Sequence, residues 1–408
     1  MKVRILILLS LLVPSLYFAY AYHVASIKRE KELVREYIRH KVSSKVTEED
    51  DFPNELKFKD QEATVLYTLD SSLQDKLEAL LMRYPNEGCA IVILDNDSGK
   101  ILALGSIERE SKKISYGLPF SSTHPSASLF KIVTMADLLN NKKMKPNSKV
   151  SYSGKSTTLY KYQLKNKINK WTRWVSLSRA FAQSNNVVFG KAAIQKSSAN
   201  SIYERAYSFG FNKKLMEDFN LGTSKFSYPV SSYELAEVAS GFTIETLISP
   251  VHAALLSSIV ANNGILKNPY IIEKVLLGEE FIHYPKKRNK VANSEVVSRL
   301  SNMMKLTAVS GTARGLTRGR IGKKLKENLI LGAKTGSITG GMPFGKREWL
   351  TLFAKRKNDD SKGISIGIMN IHKKKWYYKA SFLAKKILNF YLETKDLASL
   401  KMNKNPDV

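Results

Sequence analysis

The stretch His124–Leu139, "HPSASLFKIVTMADLL", decides how the rest of the chain is read. Its second half has the apolar density of a buried helix, and two serines, Ser126 and Ser128, stand just ahead of Lys131. On a helix, positions i and i+3 share a face, so Ser128 Oγ and Lys131 Nζ can meet, whereas Ser126 has Leu129 three residues on. A serine hydroxyl is a poor nucleophile until a base takes its proton. A lysine can be that base once burial and neighbouring cations bring its pKa from ~10.4 towards ~7–8. Ala127, Leu129, Phe130, Ile132 and Val133 flank Lys131 and mark a buried helix start. On its own the pair is a weak signal in a chain this rich in lysine. Ser126 has helix capping as its default role.

Two later segments carry further chemistry. Ser184-Asn185-Asn186, inside "FAQSNNVVFG", breaks a helical pattern where a loop can enter a cleft, although Ser and Asn are also the preferred cap residues. Lys334-Thr335-Gly336, followed by Ser337, ends the strand "NLILGA". A lysine and a hydroxyl at a strand edge can bind a carboxylate by charge and hydrogen bonds, and the glycine lets a substrate backbone come close. Taken alone, this segment reads as a strand-to-turn junction.

Outward from these segments the texture alternates between sheet and helix. "SSLQDKLEALLMRY" has apolar residues at helical spacing behind a cap at Ser71 or Ser72. "CAIVILDNDSGKILALGS" is two apolar runs joined by "NDSG", a hairpin signal. "VSLSRAFAQSNNVVFGKAAIQ", "SYELAEVASGF", "PVHAALLSSIVANNG" and "SEVVSRLSNMMKLTAVS" are helical in pattern, the third starting on Pro250. Three strands follow, "NLILGAKTGS", "REWLTLFAKRK" and "ISIGIMNI", and "YKASFLAKKILNFYLE" closes as an amphipathic helix. The order of two strands, a block of helices, three strands and a helix predicts an α+β fold with an antiparallel five-stranded sheet flanked by helices.

The chain has 408 residues, 43% hydrophobic and 10% aromatic, which suffices for one large core or two modest ones and excludes a disordered chain. Its net charge of +29 suits anionic company such as nucleic acid, lipid headgroups or cell-wall polymers; solvated lysines without a partner give the same balance. The single cysteine, Cys89, allows no intrachain disulfide and no cysteine metal cage, and it sits in the apolar run "CAIVILD" as an inert thiol. The six histidines form no HExxH, and no metal or cofactor is expected. "GGMPFGK", Gly340 to Lys346, matches G-x-x-x-x-G-K, but Arg347 replaces the magnesium-binding hydroxyl, Pro343 sits in the loop and a strand follows. "GTARGLTRGRIGKKLK" and "HKKKWYYK" are basic enough for nucleic acid, yet an apolar leader argues against that partner.

That leader is "ILILLSLLVPSLYFAYAY", Ile5 to Tyr22, uncharged and at the lower edge of a bilayer span. Two outcomes compete: a signal peptide cut after "AYA", Ala19 to Ala21, or a retained anchor with its tyrosines at the outer interface. "KREKELVREYIRHK" outweighs Lys2 and Arg4 and so opposes export under the positive-inside rule. An uncleaved anchor is the expectation, with the bulk of the chain outside. The expected organisation is an anchor or signal peptide over residues 1–26 and a charged, solvated stalk over 27–62. A globular domain follows over 63–395, and a polar tail over 396–408.

The Ser128–Lys131, Ser184–Asn186 and Lys334–Gly336 segments, in that order, resemble those of the penicillin-binding serine acyl-transferase family of transpeptidases, D-Ala-D-Ala carboxypeptidases and serine β-lactamases. "YTLDSSLQDKLEALL" resembles the T-x-D-x-x-L-Q start of their transpeptidase domains, and "LDNDSGKILALGS" resembles their strand pair, so the likeness runs from about Thr64 to Glu393. It implies an all-helical subdomain beside the sheet, and a peptidoglycan D,D-transpeptidase that acts on D-Ala-D-Ala stem peptides and binds β-lactams covalently. By the same resemblance Ser128 is the acylated nucleophile and Lys131 its base. Ser184 relays a proton to the leaving group, and Asn186 holds the substrate amide. Lys334 and Thr335 bind the terminal carboxylate, with Gly336 beside them in the substrate-binding strand. The backbone N–H groups of Ser128 and Ser337 form an oxyanion hole, where one donor is worth ~3–4 kcal/mol.

Some features depart from the family. Pro125-Ser126-Ala127 stands where the family often has Pro-Gly-Ser. No room exists between Tyr22 and Thr64 for a glycosyltransferase or pedestal domain, which makes a separate glycosyltransferase a candidate partner. The Glu-x-x-Leu-Asn loop of class A β-lactamases has no match, so slow deacylation is expected. A transpeptidase or carboxypeptidase is favoured over a β-lactamase, and an inactive cell-wall interaction module is a further alternative. The implied location is the inner membrane, with the catalytic domain on its periplasmic side.

Overall fold

The runs "CAIVILD" and "ISIGIMNI" offer no polar face, so a strand made from either must be covered on both sides. The computed structural model describes residues 2–140, 144–341 and 344–402, with side chains over 20–140, 144–341 and 344–393. From the N-terminus, helix α1 (Lys2–Ser44) leads into the hairpin β1–β2 (Glu55–Phe58 and Gln61–Tyr67), helix α2 (Ser71–Arg83) and the hairpin β3–β4 (Gly88–Asp95 and Ile101–Glu108). Short strands β5 (Ile114–Ser115) and β6 (His124–Pro125) flank the single turn α3 (Gly117–Phe120). A 3-10 turn, Ala127–Phe130, opens into α4 (Lys131–Leu139), and the ribbon β7–β8 (Lys149–Tyr152 and Arg173–Ser176) follows. Then come α5 (Leu177–Ala182), α6 (Asn186–Lys196), α7 (Ala199–Ser208) and α8 (Ser232–Ser240). Strand β9 (Leu247–Ile248) and α9 (Pro250–Ala261) precede β10 (Ile265–Lys267), β11 (Ile272–Leu277), β12 (Glu280–Ile282) and β13 (Arg288–Lys290). The last elements are α10 (Ser294–Ser310), α11 (Gly319–Asn328), β14 (Leu329–Thr339), β15 (Lys346–Arg356), β16 (Ile364–His372) and α12 (Ala380–Met402).

The fold is α+β, and its main sheet runs β14-β15-β16-β3-β4-β5 with every pairing antiparallel. Five long strands match the five expected; the sixth, β5, adds a two-residue edge opposite Ser106 and Ile107. Alternate residues of β3 serve two cores: Ala90, Val92 and Leu94 face α9, while Cys89, Ile91 and Ile93 face α2 and α12. Helix α9 is apolar nearly all round because the sheet and the helical lobe enclose it. It lies so close to the sheet that a Cβ on Gly367 would come within 2.4 Å of Pro250 O. Burial pushes the Cys89 thiol pKa up, away from reactivity.

Beside the sheet, α4, α6, α8 and α10 pack with α5 and α7 into a lobe that carries half of the site. The lobe is not wholly helical as expected: β7–β8 pairs Val150 with Val175 and lies against α5 and α6. Helix α2 is capped by Asp70, whose Oδ1 accepts from Leu73 N at 2.9 Å, rather than by Ser71 or Ser72. A carboxylate accepts this bond more strongly than a hydroxyl does, which moves the cap one residue back.

Residues 27–62 are not a solvated stalk. Val34, Ile38, Val42 and Val46, four residues apart, form one buried stripe in the main core. Tyr37 donates to Lys57 O at 2.7 Å, Arg35 Nε to His283 O at 2.8 Å, and Tyr284 to Arg35 O at 2.7 Å. The hairpin β1–β2 extends β11–β12 into a second sheet, β1-β2-β11-β12. The charged composition of the segment hides a stripe of only four side chains. Ile38→Ala should therefore lower stability by ~2–5 kcal/mol in denaturant titration. A change within about 0.5 kcal/mol, as at a solvated position, would contradict this packing.

Among the described residues no helix is long and apolar enough to cross a membrane. The run Ile5–Tyr22, expected to be an anchor or signal peptide, lies outside the described side chains as far as Ala19. Helix α12 continues past residue 395 to Met402, and the side chains of the expected polar tail also lie outside the described ones.

Candidate active site

The turn Ala127–Phe130 is held from several sides before any chemistry is considered. Ser126 N donates to Thr246 O at 2.8 Å, and Trp349 Nε1 donates to Pro125 O at 2.8 Å. Ala127 has φ +48°, a left-handed conformation that a non-glycine residue keeps only when its surroundings impose it. Gly241, just after α8, presses on it: a Cβ there would stand 2.0 Å from Ala127 O and 3.0 Å from Ser128 N. On the other side a Cβ on Gly336 would stand 3.1 Å from Ala127 Cβ and 3.2 Å from Ser128 N. The turn is thus clamped between the end of α8 and strand β14.

This clamp separates the two serines. Ser126 does not cap the helix: its Oγ is buried and has no hydrogen-bond partner, because the tight 3-10 start turns it inward. Ser128 is partly exposed and its Oγ lies 2.8 Å from Lys131 Nζ. Lys131 is fully buried, and its Nζ also donates to Asn186 Oδ1 at 2.7 Å and to Ser240 O. Burial, and then the charge of Lys334, hold the Lys131 pKa well below the ordinary lysine range. Two pure acceptors, Asn186 Oδ1 and Ser240 O, engage the two N–H groups of a neutral amine. Its lone pair is then left to face the Ser128 hydroxyl, as a general base requires.

The "SNN" segment does both things foreseen for it. Asn185 caps α6 by accepting from Val188 N at 3.1 Å, and Ser184, at φ +57°, turns the chain into the site between α5 and α6. Ser184 Oγ accepts from Lys334 Nζ at 2.9 Å. Asn186 is more engaged than its expected substrate role suggests. Besides contacting Lys131, its Nδ2 donates to Thr157 O at 2.9 Å, which fixes its orientation and with it the amine.

Lys334 is fully buried on β14, and burial pushes its pKa down to about 7. Its Nζ also donates to Thr335 O at 2.6 Å. Thr335 Oγ1 meets Thr312 Oγ1 at 2.5 Å, which adds a residue that sequence reading missed. Thr312 follows α10, and its only sequence signal is Gly311, where a Cβ would stand 2.3 Å from Ala182 O. Gly336 passes against the backbone of Ser128, and Ser337 is exposed one residue further along β14. The structure therefore brings Ser128, Lys131, Ser184, Asn186, Lys334, Thr335 and Gly336 together, with Ser337 at the rim.

His124 is no base for this site. It is buried in β6 with Nδ1 accepting from Arg347 Nε at 3.3 Å, and burial, then the Arg347 charge, push its pKa down to about 4. Among the described residues no three His, Cys, Asp or Glu side chains group as metal ligands would. The chemistry on offer is a serine oxygen beside a neutral amine, with a second buried amine that can hold an anion.

Comparisons with known proteins follow the same lines. The family model described as "Penicillin binding protein transpeptidase domain" matches residues 89–392. No curated protein matches the sequence. Among solved structures, the D,D-transpeptidase domain of a peptidoglycan glycosyltransferase from Eggerthella lenta is similar at 21% identity and TM-score 0.64, over 82% of this chain and 84% of that one. Penicillin-binding protein A from M. tuberculosis, solved as a ceftriaxone acyl-enzyme complex, is similar at 18% identity and TM-score 0.62, over 81% and 79%. Penicillin binding protein 3 from Mycobacterium tuberculosis is similar at 16% identity and TM-score 0.67, over 82% and 80%. At these identities the structural likeness establishes the fold.

Proposed function

We propose that this chain, which belongs to the penicillin-binding protein transpeptidase domain family, is a peptidoglycan D,D-transpeptidase that works through an acyl-enzyme on Ser128. The observation that carries this reading is the 2.8 Å approach of fully buried Lys131 Nζ to Ser128 Oγ. Ser128 Oγ attacks the carbonyl between the two terminal D-alanines while Lys131 takes its proton. The N–H groups of Ser128 and Ser337 receive the developing oxyanion. Ser184, bonded to Lys334, returns a proton to the amine of the departing D-alanine. Lys334, with the Thr335 and Thr312 hydroxyls, holds the terminal carboxylate. An amine from a second stem peptide then attacks the Ser128 ester and closes the cross-link.

A β-lactam enters the same way, as its ring opens under the attack of Ser128. Penicillin-binding protein A from M. tuberculosis, described above as an acyl-enzyme, shows such an adduct on a similar fold. We further place the domain on the outer face of the inner membrane, tethered through Ile5–Tyr22, with glycan strands supplied by a separate glycosyltransferase.

The test incubates the full-length protein with a stem pentapeptide ending in D-Ala-D-Ala, with and without an amine acceptor, and follows mass and D-alanine release. A transpeptidase gives cross-linked product that displaces the hydrolysed tetrapeptide as acceptor rises. Hydrolysis unaffected by acceptor would make it a carboxypeptidase, and fast nitrocefin turnover would make it a β-lactamase. No adduct with either class of compound would leave an inactive module. Recovery of the full-length protein in a soluble fraction would refute the tether.

A further inference from the structure

The segment from Lys149 to Ser176 holds seven basic residues and no acidic one. It also carries two of the chain's four tryptophans, Trp171 and Trp174, at 71% and 56% exposure, and the exposed tyrosines Tyr160 and Tyr162. Of the other two tryptophans, Trp349 is fully buried and Trp376 is 43% exposed. Four large aromatic side chains in one exposed stretch mark a surface that meets something.

The platform is built rather than loose. Gln163 is buried inside the loop and all its hydrogen-bonding capacity is used there. Its Oε1 accepts from Tyr160 N at 2.9 Å and Thr158 Oγ1 at 3.0 Å, and its Nε2 donates to Ser153 O and Lys155 O. Tyr160 and Tyr162 stack at 5.7 Å with an interplanar angle of 12°. Arg173 is pinned over the Tyr152 ring at 4.7 Å and bonded to Gly154 O. The loop is also wired into the site, since Asn186 N donates to Ser156 O at 2.7 Å and Asn186 Nδ2 to Thr157 O. Whatever occupies the platform lies beside the residue that fixes the Lys131 amine.

We propose that the β7–β8 segment is a docking surface for the glycan strand that bears the substrate peptides, with pyranose rings stacking on its aromatic faces and carboxylates meeting its lysines. The apolar C–H face of a sugar ring complements the electron-rich face of Trp or Tyr. The uninterrupted positive charge draws a carboxylated polymer towards the site. A lipid surface has matching charge, but α1 is bound to β1 and to His283 and Tyr284, elements apart from this ribbon. The inference rests on the transpeptidase reading for the identity of the polymer.

The test sediments the full-length protein, in detergent, with purified insoluble peptidoglycan, and in parallel measures its rate of labelling by a fluorescent penicillin, which carries no sugar. Two variants are compared with the wild type, Trp171→Ala/Trp174→Ala and Lys165→Gln/Lys167→Gln/Lys170→Gln. Each should weaken sedimentation by at least about tenfold, the scale of losing an aromatic or charged anchor, with labelling within about twofold of wild type. The lysine variant should also lose part of the salt dependence. Unchanged sedimentation in both variants overturns the proposal, as does loss of binding to anionic lipid vesicles with peptidoglycan binding intact. A wild type that sediments but takes no penicillin refutes the catalytic reading while leaving the surface standing.

Discussion

Ser128→Ala should abolish covalent labelling by a fluorescent penicillin, and Ser126→Ala should leave it intact. The two hydroxyls sit two residues apart, yet only Ser128 Oγ has a base, at 2.8 Å. Without that oxygen no ester can form, so labelling should fall below about 1% of wild type rather than merely slow. Thermal unfolding should show Ser128→Ala still folded, because the clamp on the turn is made by backbone groups, Gly241, Gly336 and the Trp349 bond to Pro125. Ser126→Ala removes a buried hydroxyl that has no partner, a change that is neutral or stabilising by up to ~1–3 kcal/mol. Label that survives on Ser128→Ala, or vanishes on Ser126→Ala, would reverse the assignment.

The second large effect concerns the two lysines. Lys131→Ala should slow acylation by about 10²–10⁴-fold, the usual value of a positioned base. The rate of acylation against pH should be a bell. Lys131 must be neutral, so the rate falls when pH drops far enough to protonate it, and its lowered pKa places that limb well below the ordinary lysine range. Lys334 must be charged to hold a carboxylate, and with its pKa near 7 the alkaline limb of the free enzyme begins there. Lys334→Gln removes the cation that helps keep Lys131 neutral. Its acid limb should therefore move to higher pH, with weaker binding of carboxylate-bearing compounds. An acid limb unmoved in Lys334→Gln would sever the coupling.

Stability should run the opposite way. Both lysines bind protons more weakly folded than unfolded, where the value is ~10.4, so the unfolded chain holds the extra protons at neutral pH. The contribution of these two sites to folding thus becomes more favourable as pH rises from about 7 towards 10. Activity falls over the same range, which separates loss of function from loss of fold.

The site was legible because each of its segments combines a residue type with a break in periodicity. Ser128 and Lys131 share a face only at i and i+3, "SNN" interrupts a helix, and Lys334 interrupts an apolar run, although the strand does not end there as expected but continues as β14 to Thr339. What stayed hidden depends on contacts across the chain. Thr312 matters only because the end of α10 meets β14, which no local pattern records. Ser126 looked like a cap because its residue type favours one, but the 3-10 geometry points its hydroxyl into the core. The strand pattern gave the five long strands correctly, and β5 escaped because two residues carry no periodicity. Residues 27–62 misled for a compositional reason, since charges outnumber the valines and isoleucine that decide their packing.

Under the proposed anchoring, that last segment would set how far the catalytic domain can work from its point of attachment. As a free coil of the same length it would let the catalytic domain sweep an r.m.s. distance of about 30–36 Å. Instead Val34, Ile38 and Val42 lock the final turns of α1 into the body, with Val46 just past its end, and the helix above them rises a fixed ~1.5 Å per residue. A tether through such a strut has almost no slack. Under the proposed anchoring, the nucleophile patrols a thin layer at one height above the bilayer. Cross-links would then be laid at a set depth in the wall, and lengthening the strut by whole helical turns would move that depth by a known step.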